Sequence, residues 1–108
     1  MNIAECIQRR RLQMLVHSAI YYNYNANVIS DATWDRWARE LVSLQKQYPD
    51  ISSQVIWYDV FKDWDGTSGA FLPLTDDWVV RKARYIMEIY GIKEGVAKKV
   101  TKRKGRLF

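Results

Sequence analysis

The stretch His17-Ser18-Ala19-Ile20-Tyr21-Tyr22-Asn23-Tyr24-Asn25-Ala26-Asn27-Val28-Ile29-Ser30-Asp31-Ala32-Thr33-Trp34-Asp35-Arg36 holds the end of one helix and the start of the next. Upstream, from Asn2 to Asn23, the chain has neither Gly nor Pro. Leu12, Leu15, Val16, Ala19 and Ile20 recur there at helical spacing, so one face of this segment is buried. Asn23, Asn25 and Asn27 then compete with helical backbone bonds and tolerate left-handed geometry, which ends the helix. Ser30 is a good N-cap, and Asp31 puts a carboxylate in the first turn, where the helix dipole favours it. Trp34, Trp37, Ala38, Leu41 and Tyr48 repeat at helical spacing until Pro49. The reading is two helices, over 3–23 and 31–48. Thr33 stands where a capping box would carry Glu or Gln.

Further along, Val55, Ile56, Trp57, Tyr58, Val60, Phe61 and Trp64 are too short a run for periodicity to assign, and one helical turn is expected among them. Asp65-Gly66-Thr67-Ser68-Gly69 is a turn by composition. Thr75 is the expected cap of a third helix over 76–90, with Asp76 and Asp77 in its first turn, an apolar face of Val79, Ala83, Ile86, Met87 and Tyr90, and Gly91 as its left-handed end. The expected fold class is mainly α: a small single-domain helical protein with a two-helix N-terminal module, an irregular middle segment and a third helix. Leu15, Ile20, Trp37, Leu41, Ile86 and Tyr90 are expected in its core.

With 108 residues, 48% of them hydrophobic and five of them Trp, the chain can build one packed core but not two. Its one Cys (Cys6) cannot form an internal disulfide, and with one His (His17) it cannot make a zinc site, so no metal is expected. No run approaches eighteen apolar residues, and Arg9, Arg10 and Arg11 fall where a signal peptide needs its apolar stretch. The expectation is a cytoplasmic protein with no membrane partner.

The net charge of +5 is unevenly spread. Residues 92–108 hold seven Lys and Arg against Glu94, whereas residues 1–91 hold ten basic and eleven acidic side chains. This divides the chain into a near-neutral helical domain, 1–91, and a basic C-terminal tail, 92–108, expected to be flexible. Lys98, Lys99, Lys102, Arg103, Lys104 and Arg106 are the candidate nucleic-acid contacts, through phosphate.

Asp31, Trp34 and Asp35 lie at i, i+3 and i+4, so two carboxylates and an indole start on one side of the second helix. From spacing alone this is an ordinary helix start, with Asp31 serving the dipole and Trp34 in the core. The segments His17-Ser-Ala-Ile-Tyr21-Tyr22, Ile29-Ser-Asp-Ala-Thr-Trp-Asp-Arg36, Arg39-Glu-Leu41 and Tyr48-Pro-Asp50 point further. Over about residues 10–50 they resemble the N-terminal domain of bacterial NAD-dependent DNA ligases, which closes over the nicotinamide mononucleotide (NMN) half of NAD.

The resemblance implies a cofactor-binding set of Tyr21, Tyr22, Asp31, Trp34 and Asp35, with NMN or NAD as the ligand. Aromatic faces and carboxylates suit a cationic nicotinamide ring, and ionised Asp can accept from ribose hydroxyls. Trp34 stands where the family has Tyr or Phe, Ala19 replaces a family aromatic, and Asn27 replaces a frequent Pro. The adenylating Lys-x-Asp-Gly of a ligase is not matched: in Lys62-Asp63-Trp64-Asp65-Gly66 the Lys sits one position too early. No catalytic residue is therefore expected, and the chain is expected not to be an enzyme. Beyond residue 50 the sequence resembles small phage-encoded ligase-related proteins that add an Asp-Gly-x-x-Gly turn and another helix. The function these resemblances imply is a non-catalytic nicotinamide-nucleotide-binding module, or a mimic of the ligase domain that partners a host or phage NAD-dependent enzyme, of phage origin. The alternative is a small DNA- or RNA-associated accessory protein acting through its basic tail.

Overall fold

Asn2 opens the longest helix with a closed capping box: its Oδ1 accepts from the Glu5 backbone N–H at 2.8 Å, and its own N–H donates to Glu5 Oε1 at 3.0 Å. Helix α1, Ile3–Tyr24, follows and buries Ile7, Met14, Leu15, Ala19 and Ile20 completely. It ends at Asn25, which takes the left-handed conformation (φ 55°, ψ 44°) and donates to the Tyr21 carbonyl at 3.1 Å. Helix α2, Asp31–Gln47, starts under Ser30, whose Oγ accepts from the Thr33 N–H at 3.1 Å. Two single-turn helices, α3 (Pro49–Ser52) and α4 (Tyr58–Phe61), lead to α5, Asp77–Tyr90. In this computed structural model, which describes residues 1–95, α1 is the central element, packed against α2 on one flank and α5 on another. The described residues form helices, turns and loops, with no strand.

The middle segment is ordered from a distance. Arg11 on α1 is fully buried, and its five hydrogen bonds go to neutral oxygens: Gln45 Oε1, the carbonyls of Ser52, Val55 and Ile56, and Ser52 Oγ, at 2.6 to 3.2 Å. These use every N–H of the guanidinium, which is how a cation is tolerated inside. Burial pulls the Arg11 pKa down from its ordinary value, with the nearby Tyr58 opposing. Gln45 Nε2 adds a bond to the Phe61 carbonyl at 3.0 Å, so α1 and α2 together tie down α3, α4 and the chain between them.

Several expectations are corrected in detail. The one turn expected among residues 55–64 is α4, and α3 precedes it over Pro49–Ser52. The cap of α5 is Asp76, whose Oδ2 accepts from Trp78 and Val79 N–H at 3.0 and 3.2 Å, so Thr75 lies one residue outside. Leu15, Ile20 and Leu41 are buried as expected, but Trp37 and Ile86 are only partly so and Tyr90 is 62% exposed. Val79, Ala83 and Met87, at i+4 steps, form the buried stripe of α5; Tyr90, its last residue, lies on the same side but, with Trp37 and Ile86, lines an open groove. Gly91 does close α5 in the left-handed region (φ 66°). Ile92 packs on the core and the Gly95 N–H donates to the Tyr24 carbonyl at 2.9 Å, which brings the chain back to the end of α1. Lys98, Lys99, Lys102, Arg103, Lys104 and Arg106 lie outside the described residues.

Candidate functional site

The junction of α1 and α2 carries the five residues singled out from sequence. Tyr21, at the end of α1, is buried, and its ring meets Tyr22 edge-on at 5.0 Å. Trp34, one turn into α2, is fully buried, and its indole N–H donates to Ser18 Oγ at 3.3 Å, reaching back to the preceding turn of α1. Asp31 and Asp35 sit on the first two turns of α2 and are half-buried, as is Tyr22. Tyr22, Asp31 and Asp35 are thus the parts that reach solvent, while Tyr21 and Trp34 are packed behind them.

Three residues missed from sequence complete this junction. Trp64 meets Trp34 edge-to-face at 5.9 Å and donates from Nε1 to the Ser68 carbonyl at 2.8 Å. Ser68 Oγ lies 3.5 Å from the Tyr22 hydroxyl. Gly69 is buried hard against the other side: a Cβ there would lie 2.2 Å from Ser18 Oγ, 2.7 Å from Ser18 Cβ and 3.4 Å from Trp34 Cζ2. Residues 64–74 therefore form a strap over the junction, which the Asn23 side chain anchors through the Leu74 carbonyl at 2.7 Å. The bend that launches it is an Asx turn: Asp65 Oδ1 accepts from the Thr67 N–H and hydroxyl at 3.0 and 2.8 Å, which also holds the Asp65 carboxyl below the usual carboxylate range. The only advance signal was the Asp-Gly-x-x-Gly string, which marks a turn without saying what the turn covers.

On the opposite flank of α1, a groove of about 470 Å³ is lined by Val16, His17, Val28, Trp37, Trp78 and Ile86 among others, with Lys82 at its edge. Burial pushes the His17 pKa down to about 4, so its imidazole is neutral at pH 7, and its Nδ1 has no hydrogen-bond partner among the described residues. None of the five junction residues lines this groove.

A family model described as DNA ligase-like, N-terminal NAD+-binding domain matches residues 1–54, half of the chain. The chain belongs to this family. All five junction residues fall inside the matched span, whereas the strap and α5 fall outside it. Among curated proteins, the DNA ligase of Syntrophotalea carbinolica is 45% identical over 47 residues, 39% of this chain and 7% of that enzyme. The DNA ligase of Carboxydothermus hydrogenoformans is 38% identical over 63 residues, 54% of this chain and 10% of its own. That of Bacteroides fragilis is 37% identical over 54 residues, 50% of this chain and 8% of its own. The chain thus spans a tenth or less of the relatives' length. No solved structure matches it.

The junction brings ring faces, two carboxylates and hydroxyls together in one place. Among the described residues no group of three His, Cys, Asp or Glu could hold a metal ion, and no helix is long and apolar enough to cross a membrane.

Proposed function

We propose that this chain is a non-catalytic nicotinamide-nucleotide-binding module that takes NMN, or the NMN half of NAD, at the α1–α2 junction. Tyr22 offers a ring to the nicotinamide, Asp31 and Asp35 accept from the ribose hydroxyls and balance the ring's positive charge, and Tyr21 and Trp34 back the site. The observation that carries this reading is that the family match over residues 1–54 contains all five residues. The misplaced Lys62 in Lys62-Asp63-Trp64-Asp65-Gly66 supports the non-catalytic part, and the phage setting rests on the resemblance to small phage-encoded proteins.

Calorimetric titration with NMN, NAD and ADP-ribose tests it. NMN and NAD should bind and ADP-ribose, which lacks the nicotinamide, should not. Asp31→Ala and Asp35→Ala should each weaken NMN by roughly 1–3 kcal/mol, the range for hydrogen bonds to a charged group. No NMN binding at millimolar concentration overturns the ligand assignment, and an AMP adduct on Lys62 after incubation with NAD overturns the non-catalytic one.

A further inference from the structure

We propose that the strap, residues 64–74, is a gate over the nucleotide site, held shut in this structure and lifted when ligand enters. The inference rests on the nucleotide reading above and assigns that site its regulation. The strap lies on the groups a nicotinamide ring would use: Trp64 against the Trp34 ring, Ser68 at the Tyr22 hydroxyl, and Gly69 in the angle between Ser18 and Trp34. With a glycine in that angle the backbone itself fills the space, so the side of the site that Trp34 backs stays covered while it is there.

The strap is built to move as a unit. Its hydrogen bonds include several that close on itself: Thr67 to Asp65, Trp64 to Ser68, Ala70 N–H to Ser68 Oγ at 3.1 Å, and Leu72 N–H to the Gly69 carbonyl at 3.2 Å. A loop closed by its own bonds keeps its shape when it leaves the surface beneath. Its crest, Phe71, is 97% exposed, so lifting the strap gives up no burial there, and the cost of opening falls on Leu72, 7% exposed in the core, and on the partly buried Trp64 and Leu74. Apparent affinity then equals the intrinsic affinity reduced by the fraction of molecules with the strap open.

Gly69→Ala is the direct test, because the added methyl cannot coexist with Ser18 Cβ at 2.7 Å and must lift the strap. Gly69→Ala/Ser18→Gly removes the obstructing side chain and should let it close again. Trp64→Leu is the second opener, since it loses the edge-to-face contact with Trp34 and the bond to Ser68 while keeping an apolar residue. Each variant is checked for unchanged helix content by circular dichroism, and its NMN affinity is measured by calorimetry. Both openers should bind NMN at least roughly tenfold more tightly than the parent, with the double variant near the parent value. Affinity equal to or weaker than the parent in both openers overturns the gate and leaves the nucleotide reading standing. Binding by no form at all overturns the nucleotide reading, and the gate with it.

Discussion

Residues 1–54 are two long helices with their own caps and their own apolar stripes, whereas residues 55–95 contain one long helix and draw much of their order from the first half. Arg11 and Gln45 hold the backbone carbonyls of Val55, Ile56 and Phe61, and Ser18, Tyr22 and Asn23 receive the strap. The traffic is mutual, because Trp64 and Gly69 are what bury Trp34. The family-matched half is therefore a scaffold that a second segment has closed, and the two should fail in different ways when perturbed.

The largest effect should come from Arg11→Met. It keeps the apolar stem but removes the Arg11 donors from the part-buried carbonyls of Val55 and Ile56 and from the buried Ser52 hydroxyl, and losing several bonds to a charged group should cost on the order of 3–5 kcal/mol. Urea unfolding measures the loss, and amide exchange should locate it in residues 52–61 before α1 and α2. A loss below about 1 kcal/mol would mean that the second segment orders itself.

Next in size is the pH dependence that His17 imposes. Burial favours its neutral form, so its pKa of about 4 in the folded chain lies below the ordinary 6.5. Between those values the unfolded chain takes up a proton that the folded chain does not, so stability is full above about pH 6.5 and falls as the pH drops toward 4. The full difference is roughly 3 kcal/mol. His17→Gln should flatten the curve between pH 6.5 and 4.5, where most carboxylates are still ionised; an unchanged slope would assign the acid sensitivity elsewhere.

What could be read from the sequence follows the same division. The ends of α1 and α2 were legible because each is decided locally, by Asn25 in the left-handed region and by Ser30 on the Thr33 N–H. The middle was not, because its order comes from Arg11, a residue on α1 that reads as solvated beside Arg9 and Arg10. The junction was half legible. Spacing put Asp31, Trp34 and Asp35 on one side of α2, but what buries Trp34 is a small-residue turn far along the chain, and Ser68 and Gly69 carry no periodic signal. Tyr90 misled because a helical stripe of apolar residues says which side is greasy, not which part of that side a groove leaves open.

The smallest effect should come from the cap of α5, and it asks how much of the second half's order is its own. Asp76 accepts from the Trp78 and Val79 N–H groups through one carboxylate oxygen and places a negative charge at the positive end of the helix dipole. Both contributions are local, unlike the bonds that Arg11 makes. Asp76→Ala should therefore cost about 1 kcal/mol, without changing exchange at residues 52–61. Asp76→Asn keeps an acceptor and loses the charge, so it should recover part of that loss, and the part not recovered should shrink with added salt. A loss of several kcal/mol from Asp76→Ala, spreading into the strap and the middle segment, would instead make α5 the element on which the second half depends. In that case order would reach residues 55–74 from both directions, not from α1 and α2 alone.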